Sequence, residues 1–274
     1  MMNNLSAKPR VWRVFCVCLA WSLTFTSIFA QIKPIQPKSV TRAVIVGISD
    51  YRNDLITDLR FADRDAQIFA DFLASAAGGN VPTENVKVLT NEKATLGQIV
   101  SALTWLKDES KAGDKAIIYF SGHGDMETLT GLSFLLAHDA SANAYSGGGG
   151  FPVFSLQAVI SILSTQKNVQ VLLITDACRA GKLAGNEVNG VQATAKILSD
   201  QFANEVKVLS CQPNEFSLES TAWGGGRGVF SYYLIDGLKG LADNNQDQVV
   251  TLLELSRYLE DQVPTATAPH SQIP

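Results

Sequence analysis

Ala116-Ile117-Ile118-Tyr119-Phe120-Ser121-Gly122-His123-Gly124-Asp125 is the stretch on which the reading of this chain turns. Its first half is an unbroken apolar run of β-branched and aromatic residues, which fits a strand buried on both faces. Strands of that kind belong to parallel sheets sandwiched between helices. The run stops at Ser121, and the polar, glycine-rich residues that follow place a histidine directly after the strand. A second run, Val169-Gln170-Val171-Leu172-Leu173-Ile174-Thr175, ends in Asp176-Ala177-Cys178-Arg179-Ala180-Gly181. In open α/β sheets ligands gather at the carboxyl ends of the strands, where both of these loops lie.

Working outward, residues 42–48 form another buried strand, closed by Gly47. Leu59, Phe61, Ala62, Ala66, Phe69 and Leu73 then recur at helical spacing, and Gly78-Gly79 ends that helix. A short strand follows at 86–89, and Thr95 with Gln98 opens a helix whose apolar face includes Ile99, Leu103 and Leu106. A helix around 193–202 precedes a strand at 206–210, and helices near 231–241 and 252–262 close the chain. This alternation predicts an α/β fold, a mostly parallel central β-sheet with helices on both faces. The patch 146–150 reads as a flexible loop, and no internal repeat is present.

With 274 residues, 46% of them apolar and 18% charged, the composition is that of a globular protein. Lys8, Arg10 and Arg13 precede an apolar run at 14–29, and Ala30 is a small residue suited to cleavage. That order reads as a signal peptide over 1–30, followed by an extended leader at 31–40 and a domain from 41 to 274. The apolar run is short for a membrane span and broken by Ser22, Thr24, Thr26 and Ser27, so no stable membrane insertion is expected after cleavage. The expected location is exported, periplasmic or secreted. The net charge of -4 becomes more negative once the basic leader is removed, which argues against nucleic acid as a partner. The sequence closes on Ser271-Gln272-Ile273-Pro274 without a helix or charged tail, so a further C-terminal region is expected.

Cys16 and Cys18 fall in the leader, leaving Cys178 and Cys211, too few for a disulfide framework or a zinc cluster. A thiol needs a base to become a nucleophile at neutral pH, and imidazole is the usual one. Cys178 and His123, each just beyond its own strand, are therefore paired as nucleophile and base. The amides of Gly124 and Cys178 are the expected oxyanion hole. Cys211, with no histidine-bearing loop beside it, reads as a small buried hydrophobe; His138 and His270 read as ordinary loop residues. Asp243, Asn245, Asp247 and Glu254 stand at positions one, three, five and twelve of a calcium-loop pattern, but Gln248 occupies the glycine position. They are a weak calcium candidate, read first as a polar turn with capping residues, and no cofactor or metal is expected.

These residues together resemble the caspase-like cysteine peptidases, most closely their bacterial metacaspase-like branch. The resemblance rests on Val46-Gly47-Ile48-Ser49-Asp50-Tyr51, on 59–66, on Tyr119 to Gly124 and on Asp176 to Gly181. It continues through 210–219 and Gly228-Val229-Phe230-Ser231, and the histidine lies roughly 50 residues upstream of the cysteine as in the caspase signature. It implies that His123 is the general base, Cys178 the nucleophile and Gly124 an oxyanion donor. Asp176 stands where caspases have glutamine, and Asp65 aligns with the metacaspase aspartate that lines the pocket for the residue preceding the cut; Asp63 is the alternative. Two carboxylates there imply protein or peptide substrates cleaved after Arg or Lys. The resemblance also implies self-cleavage after the nucleophile, at Lys182 or Lys196. Metacaspase calcium sites draw on acids after both catalytic residues; Asp125, Glu127 and Asp139 are present, but none matches after Cys178. The expected activity is that of a cysteine endopeptidase. The alternatives are a catalytically silent caspase-like module that binds peptides or partners, and a thiol acyl transferase.

Overall fold

Two-sided burial of the strands organises the molecule, whose computed structural model describes residues 39–177, 205–211 and 215–274. Residues 1–38, Cys178, Lys182, Lys196 and the expected helix around 193–202 lie outside them. The chain divides into two units, Met1–Pro37 and Lys38–Pro274, and only the second is described. Its central sheet contains β1 (Thr41–Gly47), β2 (Val86–Thr90), β3 (Lys115–Ser121), β7 (Gln170–Asp176) and β8 (Glu205–Leu209). Their order is β2-β1-β3-β7-β8, and every pairing is parallel. The strands end nearly flush, with Gly47 opposite Ser121 and Ser121 opposite Asp176.

Alternation along each strand supplies two separate cores. Val44, Val46, Ile118, Phe120 and Leu173 pack with α2 (Leu96–Glu109) and α3 (Val153–Ser161). Ala43, Ile45, Ile117, Tyr119 and Ile174 pack with α1 (Ala62–Ala74), α4 (Val229–Asp236) and α5 (Leu252–Thr267). Gly47 sits where α1 crosses the end of β1; a Cβ there would lie 2.4 Å from the Ala62 carbonyl oxygen, so only glycine admits the helix so close. No described helix is long and apolar enough to cross a membrane.

The second, antiparallel sheet was not legible in the sequence: β4 (Gly124–Met126), β5 (Ser133–Leu136) and β6 (Gly150–Pro152) pair in that order. A short hairpin, β9 (Glu219–Ser220) and β10 (Arg227–Gly228), precedes α4. The patch at 146–150 departs from the expected flexible loop. The Ser146 amide and hydroxyl donate to the buried Glu127 carboxylate at 2.9 and 2.7 Å, and Gly149, at φ +73°, packs against Ala140. Buried carboxylates demand such donors, and that demand orders the glycines.

Candidate active site

β3 and β7 deliver their loops side by side. Past the last register pair, the Gly122 amide donates to the Asp176 carbonyl at 3.2 Å and the Gly124 amide to the Ala177 carbonyl at 3.1 Å. The ladder thus carries His123 alongside Ala177, the residue that immediately precedes Cys178 in the chain. Cys178 itself is outside the described residues. The His123 side chain is buried, at 2% exposure, and its Nε2 lies 2.7 Å from the Thr57 carbonyl oxygen. A carbonyl only accepts, so Nε2 carries the proton, and Nδ1 keeps the basic lone pair of the neutral ring. The main-chain amide of His123 donates to the Tyr51 hydroxyl at 2.8 Å, and the Tyr51 ring lies 5.1 Å from the imidazole.

Both contacts come from the loop at 49–59, which closes on itself. The Leu59 amide donates to the Ser49 carbonyl at 2.8 Å, and the Tyr51 amide to the Asp58 carboxylate at 2.9 Å. His138, expected to be ordinary, helps hold this loop: its carbonyl accepts the Arg52 amide at 3.0 Å and its Nδ1 donates to the Asp50 carbonyl at 2.7 Å. Thr57 was missed by sequence reasoning for a plain reason. A main-chain carbonyl carries no residue signature, and Thr57 lies far from His123 in the chain.

The carboxylates separate into different settings. Asp176 is fully buried at the end of β7, opposite Ser121. Asp65 is also fully buried, but its setting departs from that of a substrate-facing acid. One oxygen accepts from Arg227 Nε at 3.0 Å and the other from the Gly228 amide at 2.9 Å. The Arg227 side chain, 6% exposed, also donates to the Ser231 carbonyl. A guanidinium from the hairpin before α4, which no local pattern announces, balances the Asp65 charge inside the protein. Asp63 is engaged too, accepting from the Ser49 hydroxyl at 2.6 Å and the Asn91 amide nitrogen at 3.2 Å. The Gly124 amide departs from its expected oxyanion role in the same sense, since it donates to Ala177 in the strand-end ladder.

Cys211 is buried, its thiol 3.6 Å from the Glu215 carbonyl oxygen, and His270 is exposed. Within the calcium-like loop, Asp243, Asn245 and Asp247 accept from the amides of Asp247, Gln248 and Val249. Glu254 forms a reciprocal capping box with Thr251 at the start of α5; those hydrogen bonds hold its carboxyl below the usual value. Among the described residues, no group of three or more His, Cys, Asp or Glu is placed to hold a metal ion.

Comparison with known proteins agrees with this architecture. The crystal structure of the protein GSU0716 from Geobacter sulfurreducens superposes with a TM-score of 0.57, covering 84% of this chain and 90% of that one at 15% identity. That likeness is one of fold. No curated protein matches the chain. The sequence profile of the caspase domain, a peptidase family, matches residues 40–274, which takes in the whole central sheet, the His123 loop and the Cys178 loop. The chain therefore belongs to the caspase domain family of cysteine peptidases.

Proposed function

We propose that this protein is a cysteine endopeptidase of metacaspase-like type that hydrolyses bonds after Arg or Lys. The observation that carries the reading is the buried His123 whose Nε2 proton is held by the Thr57 carbonyl, on the loop adjoining the residue before Cys178. In that tautomer Nδ1 takes the Cys178 proton as sulfur attacks the scissile carbonyl, forming the carbon–sulfur bond. The imidazolium returns the proton to the leaving amine as the peptide bond breaks. Water, deprotonated by the same nitrogen, then releases the acid and restores the thiol. The Thr57 oxygen supports the ring through both charge states, in the role of the third group of a triad. The reaction needs no cofactor or metal.

The basic specificity is assigned to Asp176, whose buried carboxylate at the strand end favours a guanidinium or ammonium over an acidic side chain. The signal-like leader supports export to the periplasm or beyond, with peptides or proteins as partners. A panel of fluorogenic peptides differing only before the scissile bond tests the reading. Release from Arg and Lys peptides that disappears in Cys178→Ala supports it. Cleavage after Asp, indifference to charge, or turnover by Cys178→Ala overturns it.

A further inference from the structure

Resting on the peptidase reading, we propose that Tyr51 and Asp58 are positioning residues that hold the His123 base through a clamp made by a single loop. His123 is held at two places, by the Tyr51 hydroxyl on its main-chain amide and by the Thr57 carbonyl on its ring. Both groups belong to the 49–59 loop, so movement of that loop moves both at once. Asp58 fastens the loop from outside the buried site: its carboxylate accepts the Tyr51 amide, and Thr57 is its immediate neighbour. The Tyr51 ring, 3% exposed and tilted 31° to the imidazole, fills the space beside the base.

Gly122 gives this arrangement independent support. A Cβ at 122 would lie 3.0 Å from the Tyr51 hydroxyl oxygen and 3.1 Å from the Phe120 ring. The glycine before His123 thus makes room for the hydroxyl that binds the His123 amide, a role distinct from close approach to a substrate. The amide needs that acceptor, because His123 is buried and an unpaired buried N–H is costly. Its loss lets the backbone of 122–124 shift, and a displacement of about 1 Å at a catalytic group costs on the order of 10²-fold in rate.

The experiment measures kcat and KM on an Arg fluorogenic peptide for Tyr51→Phe, Asp58→Ala and Asp58→Asn. A parallel arm records ¹⁵N spectra of labelled histidine in the Cys178→Ala background, with and without Tyr51→Phe. Tyr51→Phe should lower kcat by about tenfold to a hundredfold with KM changed less than about twofold. Asp58→Ala should behave alike, whereas Asp58→Asn, which keeps an acceptor for the Tyr51 amide, should recover most of the rate. Asp58 is exposed, so its variants test the clamp even where Tyr51→Phe fails to fold. In the spectra, His123 should be the Nε2–H tautomer at neutral pH and become a mixture in Tyr51→Phe. Undiminished kcat in Tyr51→Phe, a loss confined to KM, or an unchanged tautomer overturns the proposal. Absence of peptide cleavage by the wild-type protein would sink the peptidase reading instead, and the spectra alone would then decide the clamp.

Discussion

A main-chain oxygen sets the tautomer of His123: with Nε2–H directed at Thr57, Nδ1 keeps the lone pair that can take a proton. If Cys178 and His123 work as the proposed nucleophile and base, they act as a unit, and His123→Ala should cost nearly as much as Cys178→Ala, on the order of 10³-fold or more in kcat/KM on an Arg peptide. A His123→Ala protein within about tenfold of wild type would end the assignment. The two buried aspartates should respond differently. Asp176→Ala should depress cleavage of Arg peptides by well over tenfold while sparing any residual turnover of neutral ones, since losing an ion pair to the substrate costs roughly 2–5 kcal/mol. Asp65→Ala should instead destabilise the fold by about 3–5 kcal/mol in chemical denaturation, because it strands the buried Arg227 guanidinium. A stable Asp65→Ala protein with altered charge preference would return Asp65 to the substrate pocket.

At the scale of elements, two carboxylate hubs, Asp114 at the start of the central sheet and Glu127 beside the small antiparallel one, make stability depend on pH. Burial raises the Asp114 pKa, but hydrogen bonds from the Val40 and Lys111 amides and from Arg42 outweigh it, leaving the value below 3.8. Hydrogen bonds from the Thr130 hydroxyl and then from Ser146 lower Glu127 from 4.5. A depressed folded-state pKa contributes stability that is present above the unfolded value and lost as pH falls through the folded one. The protein should therefore lose stability as pH drops through about 4.5 and below, read by denaturant midpoints across an acid series. Glu127→Gln should flatten the upper part of that decline; an unchanged slope would show that Glu127 is no such hub. Gly149→Ala should also destabilise the segment after β5, since its φ of +73° and the Ala140 backbone 2.2 Å from a Cβ both oppose a side chain. Both hubs escaped sequence reading because part of each donor set lies far off in the chain, Val40 and Arg42 for Asp114 and Ser146 for Glu127.

For the whole molecule, the order of charged, apolar and small residues at the start predicts export, with the mature chain beginning at or near Gln31. N-terminal sequencing of exported protein checks this, and a retained Met1 would contradict it. Mass spectrometry of wild type against Cys178→Ala would show whether cuts at Lys182 or Lys196 depend on the protein's own thiol; identical fragments in both would rule out self-cleavage. The α/β class, the parallel strands and the loop that carries His123 beyond β3 were legible in the chain itself. A strand buried on both sides must be apolar throughout, and a parallel sheet must place its loops at one edge. Those are local demands, and sequence records them. Tertiary structure alone decided that Thr57 and Tyr51 grip His123, that Arg227 balances Asp65, and that the Gly124 amide closes the β3–β7 ladder. Each joins groups from separate segments, two of them through main-chain atoms that every residue possesses. Such partners become definite only when the fold brings them together in a dry interior, where an unmatched charge or donor is too costly to leave.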